Sequence, residues 1–232
     1  AGAPLLVEDP EVPADSFLPL PEARPPLSAA AEWRSAILGR RSAKGFRQEV
    51  VSVAQIGELL GALRATGLTA DCSREGSVRL GVRLVARNVE GLAGVFAYLP
   101  QGHALQRLEA QAADPRPACM QQGLAGSAAA VLVFHAPLSA LIRRHGYSAF
   151  AELHFRAAEL GQRLHLAATR LGRLGLTCVG GFDGEECASL AKLDAGEEAL
   201  YAILIGVPDE SVFKHDRLNV AFSHGYTNTL ED

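Results

Sequence analysis

Three cations and a hydroxyl group are concentrated in one short segment, which runs Arg40-Arg41-Ser42-Ala43-Lys44-Gly45-Phe46. An arginine fork can hold a phosphate through two charge-assisted hydrogen bonds, and a serine hydroxyl can bind a further oxygen. A lysine beside them adds a compact positive charge. The segment is therefore typical of a loop that binds a phosphorylated, planar cofactor. The alternative is that the basic pair only complements the dipole at the end of a preceding helix.

A pair of glycines is the second candidate feature. Gly180 and Gly181 follow an apolar segment, residues 174–179, and precede Asp183, which can cap a helix. Because glycine has no side chain, such a pair allows the backbone to approach a ligand closely. A turn that merely joins two elements is the alternative.

Helices are predicted on both sides of the basic segment. Residues 28–41 contain an N-cap, strong helix formers and an apolar stripe at Ala31, Ile37 and Leu38. They predict a helix that ends at the basic loop. A capping-box pattern at residues 52–55 then opens a second helix, whose apolar residues follow the 3.6-residue period.

Apolar runs predict the strands and a long helix. Residues 80–86 alternate in polarity and precede a turn and a short apolar partner at 94–98, which predicts a hairpin. Residues 128–134 are continuously apolar, as in a central strand covered on both faces. Over residues 147–171 apolar side chains recur at helical intervals, which predicts a helix of about 37 Å. We expect a strand, a helix and a strand at residues 174–179, 183–193 and 199–207.

These segments together resemble a known family. "RRSAKGF" is similar to the Arg-x-Ser-x-[Lys/Arg]-x-Phe opening of the nitroreductase superfamily of FMN-dependent oxidoreductases, and residues 151–206 resemble its long central helix, flavin-facing Gly-Gly turn and final core strand. Residues 82–108 resemble the SagB-type dehydrogenases of azole-peptide biosynthesis. The resemblance implies an α+β three-layer sandwich, with a mostly antiparallel sheet flanked by helices and a long central helix at a homodimer interface. It also implies bound FMN.

The resemblance assigns roles to individual residues. Arg40, Arg41, Ser42 and Lys44 would anchor the FMN phosphate and ring, joined by Lys214 and Arg217 from the C-terminal segment. A backbone N–H of Gly180 or Gly181 would face the flavin N5. Gln122 matches a position where relatives often carry glutamine, and it could bind the flavin edge or cap buried backbone. A solvated charged tail is the alternative for Lys214 and Arg217.

The expected acid/base pair differs from the pattern of the SagB-type enzymes. A Lys-Tyr pair precedes their central helix, whereas alignment on Gly146 and Ala149 places Arg144 and His145 there. Arginine stays protonated, but histidine titrates near neutrality and can accept a proton. We therefore expect His145 to be the base and Arg144 an electrostatic anchor. A basic surface turn before a helix is the alternative.

The resemblance implies an oxidoreductase that converts azoline rings of a ribosomally made peptide to azoles. An NAD(P)H-dependent reductase of nitro compounds or quinones is the second hypothesis, since it needs no Lys-Tyr pair. A flavin-free, non-catalytic subunit of a peptide-modifying complex is the third. The presence of both basic segments favours a protein that holds FMN over this third hypothesis.

Composition argues against a nucleic-acid-binding protein and a membrane-spanning protein, and it indicates how the domain is organised. The 232 residues, 48% hydrophobic with a net charge of −4, lack the basic, aromatic-rich runs of nucleic-acid-binding proteins. The longest apolar stretch, residues 126–142, is too short to span a bilayer. Residues 1–27 hold seven of the twelve prolines and several carboxylates, which predicts an extended arm or linker before one domain at 28–232.

Cysteine and histidine spacing gives no metal or redox motif. Four scattered cysteines and the absence of an H-E-x-x-H motif favour inert thiols in a reducing cytoplasm, without a metal site.

Overall fold

The computed structural model describes residues 17–24, 27, 29–64 and 79–212. Six helices and eight strands are formed within them. The helices are α1 (Ala30–Gly39), α2 (Val53–Gly61), α3 (Gly123–Ser127), α4 (Leu138–His145), α5 (Ser148–Leu171) and α6 (Gly184–Leu190). The strands are β1 (Phe17–Pro19), β2 (Phe46–Arg47), β3 (Gly81–Val89), β4 (Leu92–Leu99), β5 (Ala104–Glu109), β6 (Ala130–Ala136), β7 (Gly175–Val179) and β8 (Glu198–Pro208).

The strands form one sheet in the order β1-β5-β4-β3-β6-β8-β2, with β7 also paired to β8. Every pairing between named strands is antiparallel. The predicted hairpin is β3–β4, and the predicted central strand is β6, whose residues are all buried between β3 and β8. The predicted α+β fold with an antiparallel sheet between helices is confirmed.

Two apolar clusters fill the space on the two faces of the sheet. The larger one joins α2 and α5 to the sheet through side chains such as Leu59, Leu153, Leu160 and Phe134. The smaller one lies under α3 and α6 and includes Val131, Cys187 and Leu204. Helices thus cover both faces, which gives the three layers that the continuously apolar β6 requires.

Local signals explain where the helices begin. The Ser52 side chain accepts a hydrogen bond from the Gln55 N–H, while the Gln55 side chain accepts one from the Ser52 N–H, as the capping box predicts. Asp183 caps α6 through two backbone N–H groups at 3.0 Å. Helix α5 ends at Gly172, whose left-handed conformation suits glycine.

Helix α1 departs from the expected packing. Its predicted apolar stripe does not face the core, because Ile37 and Leu38 are 55% and 60% exposed. Of the α1 residues only Ala36 is buried. A helix forms in the predicted segment, although its N-cap residue is Ala29, which makes no side-chain capping hydrogen bond. Its apolar face has no partner within the described chain.

The described part of the proline-rich segment lies against its own domain. Phe17–Pro19 pairs with β5, and the Leu20 N–H donates to the His103 carbonyl at 2.9 Å. The Arg24 side chain forms an ion pair with Glu58 at 3.2 Å. The division at residue 27 remains a prediction. No helix in the described ranges is both long and apolar enough to cross a membrane.

Candidate cofactor site

The basic segment leaves α1 as an open, positively charged loop. The Nη1 atom of Arg41 donates hydrogen bonds to the carbonyls of Leu38 and Arg40, at 2.8 and 2.9 Å. The Arg41 side chain thus binds carbonyl groups at the C-terminal end of α1. Arg41 and Lys44 are nonetheless exposed, and Arg40 is half-buried. Within the described ranges, no carboxylate forms an ion pair with any of the three cations. Their charge is therefore available to an anionic ligand.

Strand β7 holds this loop in place. Ser42 forms a bridge with Leu176, and the Ala43 N–H donates to the Leu176 carbonyl at 3.0 Å. The Thr177 hydroxyl donates in turn to the Ala43 carbonyl. At Gly175 a Cβ would lie 2.9 Å from the Cβ of Ala43, so glycine permits this close approach. Backbone pairing thus fixes the position of the loop beside the strand.

The same strand leads into the paired glycines. Gly180 follows Val179, the last residue of β7, and lies four residues beyond Leu176, or about 13 Å along the strand. The next turn is fixed by the Asp183 N–H, which donates to the Ala118 carbonyl at 2.9 Å. A Cβ built at either Gly180 or Gly181 would meet no atom within 4 Å. The space above both glycines is open to a ligand.

A polar cluster that was not predicted lies between the basic loop and the glycine turn. His165 on α5 is 5% exposed, and its Nε2 lies 3.4 Å from the Sγ of Cys178 on β7. Burial, followed by the positive charge of Arg40, lowers the pKa of His165 to about 4. Burial and a hydrogen bond with Cys178 raise the pKa of Tyr201. His165 is thus a neutral imidazole near neutral pH, close to Arg40.

Arg144 and His145 lie at the far end of α5 from this cluster. Both are exposed in the last turn of α4, and no ion pair of either is found in the described ranges. From Ser148 to His165 the α5 axis extends about 26 Å. A single chain therefore does not bring His145 to the basic loop.

The remaining predicted residues are placed separately. Gln122 is an exposed residue at the start of α3, and its side chain makes no capping hydrogen bond. The two preceding residues, Met120 and Gln121, both have left-handed backbone conformations. Lys214 and Arg217 lie outside the described residues. In the part of the chain that is described, no cluster of His, Cys, Asp or Glu could hold a metal ion.

These features fit a phosphorylated, planar cofactor. The exposed cations of the loop can bind a phosphate, and the open glycine turn can accept a flat ring. Both are attached to β7, so their separation is fixed by the strand. Of the three segments predicted to bind the cofactor, the basic loop and the glycine turn therefore both lie beside β7.

Comparison with known proteins gives one family. The model of the Nitroreductase family matches residues 37–207. A protein of Methanocaldococcus jannaschii that is named as a nitroreductase is 25% identical over 164 residues, covering 68% of this chain and 82% of its own.

Solved structures share the fold. A nitroreductase-like protein of Ralstonia eutropha superposes with a TM-score of 0.67 at 23% identity, covering 88% of this chain and 95% of its own. One from Anabaena variabilis gives 0.70 at 23% identity over 83% of this chain, which spans only 42% of that protein's length. The E. coli microcin synthetase McbBCD, solved with truncated pro-MccB17, gives 0.61 at 16% identity over 90% and 89% of the two chains.

Proposed function

Because the chain belongs to the nitroreductase family, we propose that it is an FMN-dependent oxidoreductase that oxidises the azoline rings of a peptide to azoles. The observation that carries the proposal is the joint attachment of the exposed basic loop and the open Gly180-Gly181 turn to β7. Arg40, Arg41, Ser42 and Lys44 would hold the phosphate, and the glycine turn would lie against the ring. Lys214 and Arg217 complete the phosphate site in this proposal.

Oxidation of an azoline to an azole removes two hydrogens, one as a hydride and one as a proton. Bound FMN supplies the hydride acceptor. The chain itself must take the proton, and a neutral imidazole can do so. His145 is the proposed base because it is exposed and forms no ion pair with any residue that the structure describes. Arg144 stays protonated beside it and can attract an anionic group of the substrate.

The proposal includes a homodimer, since His145 and the basic loop lie far apart in one chain. Two copies of α5 related by a two-fold axis perpendicular to the helix run antiparallel. The first turn of one helix then approaches the second half of the other. The exposed apolar residues Ile37, Leu38 and Phe155, on α1 and α5, would supply the buried area.

Peptide substrates are favoured by the similarity to McbBCD, whose structure contains a truncated pro-peptide. The second candidate is an NAD(P)H-dependent nitro or quinone reductase. It is favoured by the M. jannaschii relative, which is named as a nitroreductase, and by the absence of the Lys-Tyr pair.

The test is the conversion of a synthetic azoline-containing peptide by FMN-loaded protein, followed by mass spectrometry as the loss of two hydrogens. We expect His145→Gln to lower the rate about a hundredfold or more while FMN binding is kept. Arg143→Gln, in the same helical turn, is the matched control and should retain the rate. Oxidation of NADPH with a quinone acceptor, together with no change in the peptide, would favour the reductase instead.

A further inference from the structure

Three rings form a row on the surface of α5 near its first turn. The ring centroids of Tyr147 and Phe150 are 6.3 Å apart with an interplanar angle of 36°. Those of Phe150 and His154 are 4.2 Å apart at 34°. Both pairs are tilted ring contacts, and the Phe150–His154 pair is the closer of the two. We name Tyr147, Phe150 and His154 the ring row.

The ring row is both ordered and open. His154 Nδ1 donates to the Phe150 carbonyl at 2.9 Å, which fixes the imidazole against the helix and leaves Nε2 unprotonated in the neutral ring. Tyr147 is 81% exposed and Phe150 is 42% exposed. Neighbouring apolar side chains that are left exposed together are typical of a binding surface.

The ring row begins beside the proposed base. The Ser148 hydroxyl donates to the His145 carbonyl at 3.3 Å, and the Phe150 N–H donates to the Tyr147 carbonyl at 3.2 Å. One tight turn at Gly146 therefore links His145 to the first ring. A planar group stacked on Tyr147 would therefore lie next to the turn that carries Arg144 and His145.

We propose that the ring row binds the planar five-membered heterocycle of an acidic peptide substrate by stacking. The inference rests on the proposed function and adds how the substrate is recognised. A ring can stack on Phe150, whereas the serine or cysteine from which it is made cannot. The exposed Arg144 guanidinium, which has no ion pair in the described ranges, suits a carboxylate beside the heterocycle. The row would thus select residues that have already been cyclised.

The test compares two labelled peptides that differ at one residue. One carries a thiazole next to an aspartate, and the other carries the uncyclised cysteine; the thiazole stands in for the azoline because it has the same ring atoms and cannot be oxidised further by the enzyme. Binding to the FMN-loaded protein is followed by fluorescence anisotropy. We expect the thiazole peptide to bind about tenfold more tightly, Phe150→Leu to abolish this preference, and Phe150→Tyr to retain it. Leucine keeps the apolar bulk but removes the ring, whereas tyrosine keeps the ring. Comparison of the two variants therefore isolates the contribution of stacking to binding.

Two outcomes would overturn the inference. If Phe150→Leu retains the preference for the thiazole peptide, the ring row does not recognise the heterocycle by stacking. If Phe150→Leu instead converts a dimer to a monomer in light scattering, the row belongs to the contact between copies. Both outcomes can occur in a protein that still oxidises azolines. Failure of the proposed function would appear separately, as an unchanged peptide mass with wild-type protein.

Discussion

His165 and Cys178 lie in contact where α5 crosses β7, with Nε2 of the histidine 3.4 Å from Sγ of the cysteine. This contact links the long helix to the strand that carries both the basic loop and the glycine turn. Burial, and then the positive charge of Arg40, lower the pKa of His165, so the imidazole is held neutral. The contact therefore makes the packing of α5 on β7 sensitive to acid.

Stability should fall on acidification through His165. Its pKa is about 4 when folded, below the value of 6.5 for a free histidine, so the unfolded chain binds a proton more readily. The contribution of neutral His165 to the free energy of unfolding is fully present above about pH 6.5. It is lost as the pH falls towards 4, and the loss amounts to roughly 3 kcal/mol. Urea unfolding at pH 7 and pH 4.5 measures this loss. We expect His165→Gln to reduce it, and the exposed His145→Gln to leave it unchanged. Equal losses in wild type and His165→Gln would contradict the prediction.

Gly81 should be intolerant of any side chain. A Cβ at this position would lie 2.3 Å from the imidazole of His135, its antiparallel partner across β3 and β6. His135 is buried and in contact with Glu197, so it cannot move aside easily. We expect Gly81→Ala to lower the free energy of unfolding by about 2 kcal/mol. Gly123→Ala, where a Cβ meets no atom within 4 Å, is the control and should be nearly neutral.

The glycine turn gives a test that separates ligand binding from folding. A Cβ at Gly181 meets nothing within the described chain, so Gly181→Ala should leave the thermal stability of the FMN-free protein unchanged. If the flavin ring lies against this turn, the added methyl group should weaken FMN binding about tenfold, as measured by titration. Unchanged FMN affinity would show that the ring lies elsewhere.

The proposed dimer should depend on α1. Leu38 is 60% exposed, and a charge in its place would be costly in an apolar contact between copies. We expect Leu38→Glu to produce monomers in light scattering. Leu108→Glu, an exposed leucine on β5, is the matched control and should remain dimeric. A monomeric wild type would contradict the dimer itself.

Most of the fold follows from local patterns, and the exceptions have physical causes. The period of α5 and the apolar run of β6 predict both elements because burial repeats along each of them. Helix α4 is not predicted, since Pro137 interrupts an apolar stretch that resembles one strand and its exit. The stripe on α1 is present, but periodicity does not show whether the core or another molecule covers it.

Less of the site is readable from sequence. The period of α5 places His165 on the buried face, but its contact with Cys178 depends on how the helix crosses the sheet. The bridge between Ser42 and Leu176 also joins residues that are far apart in the chain. Whether Lys214 and Arg217 reach the same phosphate stays a prediction, because both lie outside the described residues.

The central claim is that the basic loop and the glycine turn hold FMN. The most direct measurement is the absorption spectrum of freshly purified protein, with the FMN released by heat counted per chain. We predict a yellow protein with close to one FMN per chain, or one that reaches this ratio when FMN is added. A colourless protein that takes up no added FMN would contradict the claim.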